Sequence, residues 1–88
     1  MVKDELTCRI GAELKKMRKL QEAHLGYNLL NDLTKKLDCS ASKINWIESG
    51  KQYLTLVEFT KYCDAVQLGK EEFQFFFGSV VDIIRKFK

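Results

Sequence analysis

Ser40 and Lys43 stand three positions apart in the run "CSASKINWIESGK", Cys39 to Lys51. That spacing suits an acyl-transfer nucleophile whose hydroxyl proton passes to a lysine amine. The chemistry also requires an oxyanion hole, a substrate pocket and accompanying S-D-N and K-T-G elements, and the sequence supplies none of these. No Ser-His-Asp arrangement, paired-carboxylate cleft or glycine-rich phosphate loop takes their place. The same run has a second reading, in which Ser40 caps a helix and the residues after it form a polar face that touches a partner. Cys8, Cys39 and Cys63 are odd in number, far apart and without a C-x-x-C pair, and His24 is the sole imidazole. They read as small buried thiols and a solvated histidine, with no metal or cofactor implied. An enzyme is not expected.

The elements that would position this face are all helical. Leu6, Ile10, Leu14 and Met17, followed by Leu20 or Gln21, recur at three and four and mark a long first helix that Gly26 stops. Asn28 can cap a second helix in which Leu29 or Leu30, Leu33 and Leu37 face inward, with Asp38 at its end in a tight turn. Ser40 caps a third, with Ile44 and Ile47 buried and Gly50 as terminator. Its other face carries Ala41, Ser42, Asn45 and Trp46. Thr55-Leu56-Val57-Glu58 matches a capping box, with Leu56, Phe59, Cys63 and Val66 behind it as the inner stripe of a fourth helix. Beyond Gly69, Ser79-Val80-Val81-Asp82 after Gly78 looks like a second capping box and predicts two short helices; a single kinked helix is the competing view.

Composition bounds the size of the answer. With 88 residues the chain makes one domain too small for a large catalytic scaffold. Fifteen Lys and Arg against 12 Asp and Glu leave a net charge of +3, which permits a polyanionic partner without demanding one. Neither a 20-residue apolar span nor a signal-peptide pattern is present, so a cytoplasmic protein without membrane contact is expected.

Two short helices meeting at Asp38-Cys39 make a helix-turn-helix pattern. Leu33, Leu37, Ile44 and Ile47 supply its seam, Thr34 is small enough for close approach, and Cys39 fits the turn. Ser42 and Asn45 could bond base edges, Ala41 could meet a thymine methyl, and Lys43, Ser49 and Lys51 could reach phosphates. Trp46 either joins the reading face or packs against a helix or partner chain. The matching residues run from Ile10-Gly11, Leu14 and Arg18, through Leu33-Thr34, Leu37 and Ser40 to Gly50, to Thr55–Leu68. Ile44-x-x-Ile47-Glu48-x-Gly50 is the most specific piece. On these residues the chain resembles the lambda-repressor and Cro-like helix-turn-helix family, over roughly Ile10 to Phe77. It departs from the family pattern in carrying Leu29 and Leu30 where a phosphate-gripping glutamine is usual, extra residues between Arg18 and Leu33, Asp38 for the turn glycine and Leu54 for a proline.

The resemblance implies an all-α, lambda-repressor-like bundle of five to six short helices, a pairing of Arg18 with Glu48, and binding of double-stranded DNA through Ser40, Ala41, Ser42, Lys43, Asn45, Trp46, Ser49 and Lys51. Residues 1–69 would form the DNA-binding unit and residues 70–88 an apolar element of the same domain. Phe73, Phe75, Phe76, Phe77, Val80, Val81, Ile83, Ile84 and Phe87 are more apolar side chains than one helix face can hide. A homodimer through Phe73, Phe76, Phe77, Val80 and Ile84 is therefore expected, with two third helices about 34 Å apart on a near-palindromic operator. A well-filled local core is the competing account of those aromatics. The expected function is a DNA-binding transcriptional regulator, a repressor with no visible ligand pocket. The alternative is a protein-interaction module retaining the same helical core, with Trp46 and the aromatic C-terminus as its contacts.

Overall fold

A computed structural model describes residues 4–87. Asp4 begins α1 (Glu5–Leu25) by accepting the Thr7 amide on its carboxylate at 2.7 Å, and Gly26 ends it in the left-handed region at φ 84°. Leu29 is fully buried just before α2 (Leu30–Leu37), and the side chain of Asn28 accepts the Leu30 amide at 2.7 Å. Asp38 leaves α2 at φ 52°, a conformation a short polar side chain tolerates. Ser40 accepts the Lys43 amide at 3.2 Å and opens α3 (Ala41–Glu48). Thr55 and Glu58 cap α4 (Leu56–Ala65) reciprocally, each side chain accepting the other's amide at 3.0 Å.

The last element, α5 (Lys70–Lys86), is one continuous helix and not the two expected from Ser79–Asp82. Gly78 has no positive φ, and Ser79 turns its hydroxyl back onto the Phe75 carbonyl at 3.2 Å in place of capping a new helix. The described residues thus form a five-helix bundle with no strand. Among those residues no helix is long and apolar enough to cross a membrane.

One stripe from every helix feeds the core: Leu14 and Met17 from α1, Leu33 from α2, Ile44 and Ile47 from α3, Phe59, Tyr62 and Cys63 from α4, and Val80 from α5, with Leu29 and Val66 closing it. One expected inner position is corrected, and one alternative is decided. Leu56 is 68% exposed, because the first turn of α4 overhangs the core and the buried stripe starts at Phe59. Leu20 is also exposed, and Gln21 takes the inward place, its amide donating to the Val66 carbonyl at 2.9 Å.

The C-terminal aromatics divide between core and surface. Phe59 has the rings of Phe73, Phe76 and Phe77 around it at centroid distances of 6.1, 5.9 and 5.8 Å. Val80, expected at a dimer face, is instead buried at 4% exposure against α1, and Phe73 and Phe76 are half-buried. Phe77 and Ile84 remain exposed, as does Phe75 on the opposite side of α5.

Candidate nucleic-acid interface

The outer face of α3 is held in place from behind. Ile44 and Ile47 anchor it in the core, and Glu48, itself buried, accepts two parallel bonds from Arg18 of α1, from Nε at 2.7 Å and from Nη2 at 2.9 Å. The Tyr62 hydroxyl of α4 donates to the same carboxylate, and Arg18 Nη1 donates to Glu22 at 2.9 Å. Glu22 in turn accepts the Leu29 amide at 2.9 Å, so one network joins α1, α3, α4 and the start of α2. Its satisfied geometry offsets the cost of burying charge, and removing one partner would cost about 3–5 kcal/mol. The Glu48 hydrogen bond raises the Arg18 pKa, and burial followed by Glu48 raises that of Tyr62; both therefore hold their protons through the range in which proteins fold.

The expected site residues fall into two groups. Ser42, Asn45 and Trp46 of α3 and Ser49, its C-cap, lie at i, i+3, i+4 and i+7, one exposed stripe, and with Lys51 they line a shallow depression of about 350 Å³. Trp46 is 44% exposed and forms part of this wall, while the Ser49 hydroxyl donates to its carbonyl at 3.3 Å. Ser40, Ala41 and Lys43 are not in the depression. Ser40 is the helix cap and Ala41 follows it, exposed on the first turn.

Lys43 is the one expected phosphate ligand whose charge is already committed. Its ammonium sits 3.0 Å from Glu58 of α4, a partly buried pair that raises the lysine pKa and, after the Thr55 amide, helps lower that of Glu58. A lysine held as an ammonium ion is the reverse of the free amine that the Ser-x-x-Lys chemistry needs. Sequence reasoning had no route to this pair, because the two residues lie 15 apart and meet only through the packing of α3 against α4.

The cysteines have no shared chemistry. Burial alone pushes the Cys63 thiol up to about 12; burial is also the main reason Cys39 is raised, and Cys8 lies in α1, its thiol 3.6 Å from the Ser49 carbonyl. Among the described residues no group of three or more His, Cys, Asp or Glu is arranged to hold a metal.

A second concavity lies behind α3. An apolar groove of about 370 Å³ runs between the N-terminal half of α1 and the C-terminal half of α5, floored by Leu14, Ile47, Phe59 and Val80 and closed at one end by residues 52–56. No pocket was expected from the sequence, since its walls come from segments at opposite ends of the chain. Comparison with protein-family models, with curated proteins and with solved structures gives no match to this chain.

Proposed function

We propose that this chain is a sequence-specific double-stranded DNA-binding regulator, acting as a dimer through a helix-turn-helix formed by α2 and α3. The observation that carries the reading is the two-sided character of α3. Its inner side is immobilised by Ile44, Ile47 and the Glu48 network, while its outer side presents short polar side chains, Ser42 and Asn45, beside Trp46 and Lys51. A rigid helix with free hydrogen-bonding groups at one-turn spacing is what the major groove admits. In this reading Asn45 and Ser42 address base edges, and Ser49 and Lys51 address phosphates. Ser40 serves by capping, Ala41 offers its methyl, and Lys43 contributes less than a free lysine because Glu58 holds it. Occupying a promoter would repress transcription. The chain has no catalytic role in this reading.

Selection of bound duplexes from a random pool at about 150 mM salt tests the proposal, since affinity and specificity are defined only at a stated ionic strength. Enrichment of a short inverted repeat is the expected result, and Asn45→Ala should then lose about 1–3 kcal/mol on that site and relax its base preference. No enrichment, or unchanged binding of specific and random DNA by Asn45→Ala, refutes the reading. One observation favours a protein partner for the same face: Trp46 places a large aromatic surface at its centre. Salt separates the two, because phosphate contacts weaken steeply as salt rises and an apolar protein contact does not.

A further inference from the structure

Four exposed apolar side chains of the described structure, Tyr53, Leu56, Phe77 and Ile84, line one feature, the groove between α1 and α5. We infer that this groove is the seat of a second copy of the chain, paired through the same patch on both copies. The inference deepens the dimer of the proposed function by assigning its surface, and it stands whether or not the partner of α3 is DNA.

Three observations select a second copy over other occupants. The first is shape. A twofold interface is built from one patch facing itself, so the patch must carry both a projection and a recess. Here Tyr53 at 59% and Leu56 at 68% exposure project from the lip of a recess whose floor, Leu14, Ile47, Phe59 and Val80, is buried.

Charge is the second observation. The chain is 31% charged with a net charge of +3, yet no residue lining the groove carries a charge. Two copies can therefore meet there without setting like charges against each other.

The third is area. An aromatic side chain offers about 150–250 Å² and an aliphatic one somewhat less, so the exposed fractions of these four side chains leave roughly 300–400 Å² per copy, to which the partly buried Leu6, Ile10, Leu54 and Val81 of the same groove add. A stable interface buries about 800 Å² per partner, of which some 56–65% is apolar, or about 450–520 Å². The patch matches that requirement.

A small-molecule effector fits less well. Ligand pockets orient their occupant with a few convergent polar groups. At this mouth the Tyr53 hydroxyl already donates to Asp4 at 3.0 Å, and Thr55 is spent in the α4 capping box. Among the described residues no buried side-chain nitrogen or oxygen lacks a hydrogen-bond partner. Thr7 and Gln52 are the other polar side chains of a wall that is otherwise apolar, so the groove is better made to exclude water than to select a polar molecule.

Phe75 supplies the internal control. It is the most exposed large apolar residue, at 81%, yet lies outside the groove on the other side of α5. Sedimentation equilibrium without DNA should show the wild-type chain at twice 10.3 kDa at tens of micromolar. Leu56→Glu and Ile84→Glu should each weaken association at least about tenfold while keeping the wild-type helical circular dichroism, since both side chains face outward. Phe75→Glu should associate like the wild type. Tyr53→Asp replaces either groove variant if that variant loses helix. A wild-type chain that stays monomeric at several hundred micromolar overturns the inference, and so do groove variants that dimerise normally or a Phe75→Glu that dissociates. Because no DNA is present, a negative result here leaves the reading of α3 standing, and failure of the duplex selection leaves this one standing.

Discussion

Gly11 and Gly78 make a paired prediction in which the same substitution has opposite signs. A Cβ at Gly11 would lie 2.5 Å from the Ile47 carbonyl oxygen, 2.7 Å from that of Glu48 and 2.9 Å from the Glu48 carbonyl carbon. All three atoms are backbone at the C-terminal end of α3, so no side chain can swing aside and α1 must move off α3. Overpacking of this kind costs about 1–3 kcal/mol, and three backbone clashes place it at the upper end. Alanine recovers about 0.8–1 kcal/mol over glycine in helix propensity. Gly11→Ala is therefore expected to destabilise by about 2 kcal/mol, or about 8–16 °C in Tm for a domain of this size. At Gly78 a Cβ would meet nothing within 4 Å and φ is not positive, so only the propensity gain remains. Gly78→Ala should stabilise by about 0.5–1 kcal/mol. Thermal and urea unfolding followed by circular dichroism measure both. A Gly11→Ala chain as stable as wild type would mean that α1 and α3 do not approach this closely. A destabilised Gly78→Ala chain would mean that α5 breaks where the Ser79–Asp82 pattern suggests.

Three further expectations follow from the polar contacts. Tyr62→Phe removes the hydroxyl that donates to the buried Glu48 carboxylate and should cost about 1.5–3 kcal/mol in urea unfolding, the range for a hydrogen bond to a charged group; a loss below about 0.5 kcal/mol would exclude Tyr62 from the network. Glu58 is held below its ordinary 4.5 by the Thr55 amide and then by Lys43; at Glu22 burial pushes upward but is outweighed by the Leu29 amide and Arg18. Depressed carboxylates contribute stability that is fully present above pH 4.5 and lost as pH falls through their folded values, so the urea midpoint should drop on acidification below 4.5, and Glu58→Gln should flatten part of that drop. Lys51→Ala should weaken all DNA sequences alike and reduce the salt slope by about one, whereas Lys43→Ala should change the slope less; equal effects would mean that Glu58 releases Lys43 on binding.

Much of the fold was legible because local signals and burial agree. Asp38, Ser40, Gly26 and the Thr55–Glu58 box mark turns and caps through contacts made within a few residues. Leu14, Leu33, Ile44, Ile47 and Phe59 could be assigned because each falls on an unambiguous apolar stripe. Misreadings cluster where a tertiary neighbour decides. Ser79–Asp82 has the residue types of a capping box, but a cap needs the chain to enter from an extended residue, and burial of Val80 against α1 keeps α5 winding through Gly78. Leu56 has the right spacing for the core, yet as the first residue of α4 it reaches past the last wall available to cover it.

The site divides the same way. Exposure of Ser42, Asn45 and Trp46 follows from helical periodicity once Ile44 and Ile47 are inside, so the stripe could be read from the sequence. The state of Lys43 could not, because its charge is decided by Glu58 on another helix. The apolar residues counted at the C-terminus divide: Phe73, Phe76 and Val80 are drawn in around Phe59 and the core, Phe75, Phe77 and Ile84 stay exposed, and Tyr53 and Leu56, outside that segment, add to the uncovered surface. That allocation matters for how the two proposals fit together. Ile47 floors the groove from the inner side of α3, so a second copy seated there leaves Ser42, Asn45 and Trp46 uncovered, and the turn from Lys51 to Tyr53 contributes one residue to the outer depression and the next two to the groove wall. A dimer built on this groove therefore fixes the separation of two α3 helices through a three-residue turn and the body of α1. Half-site spacing in a selected operator is accordingly an independent ruler for the same interface.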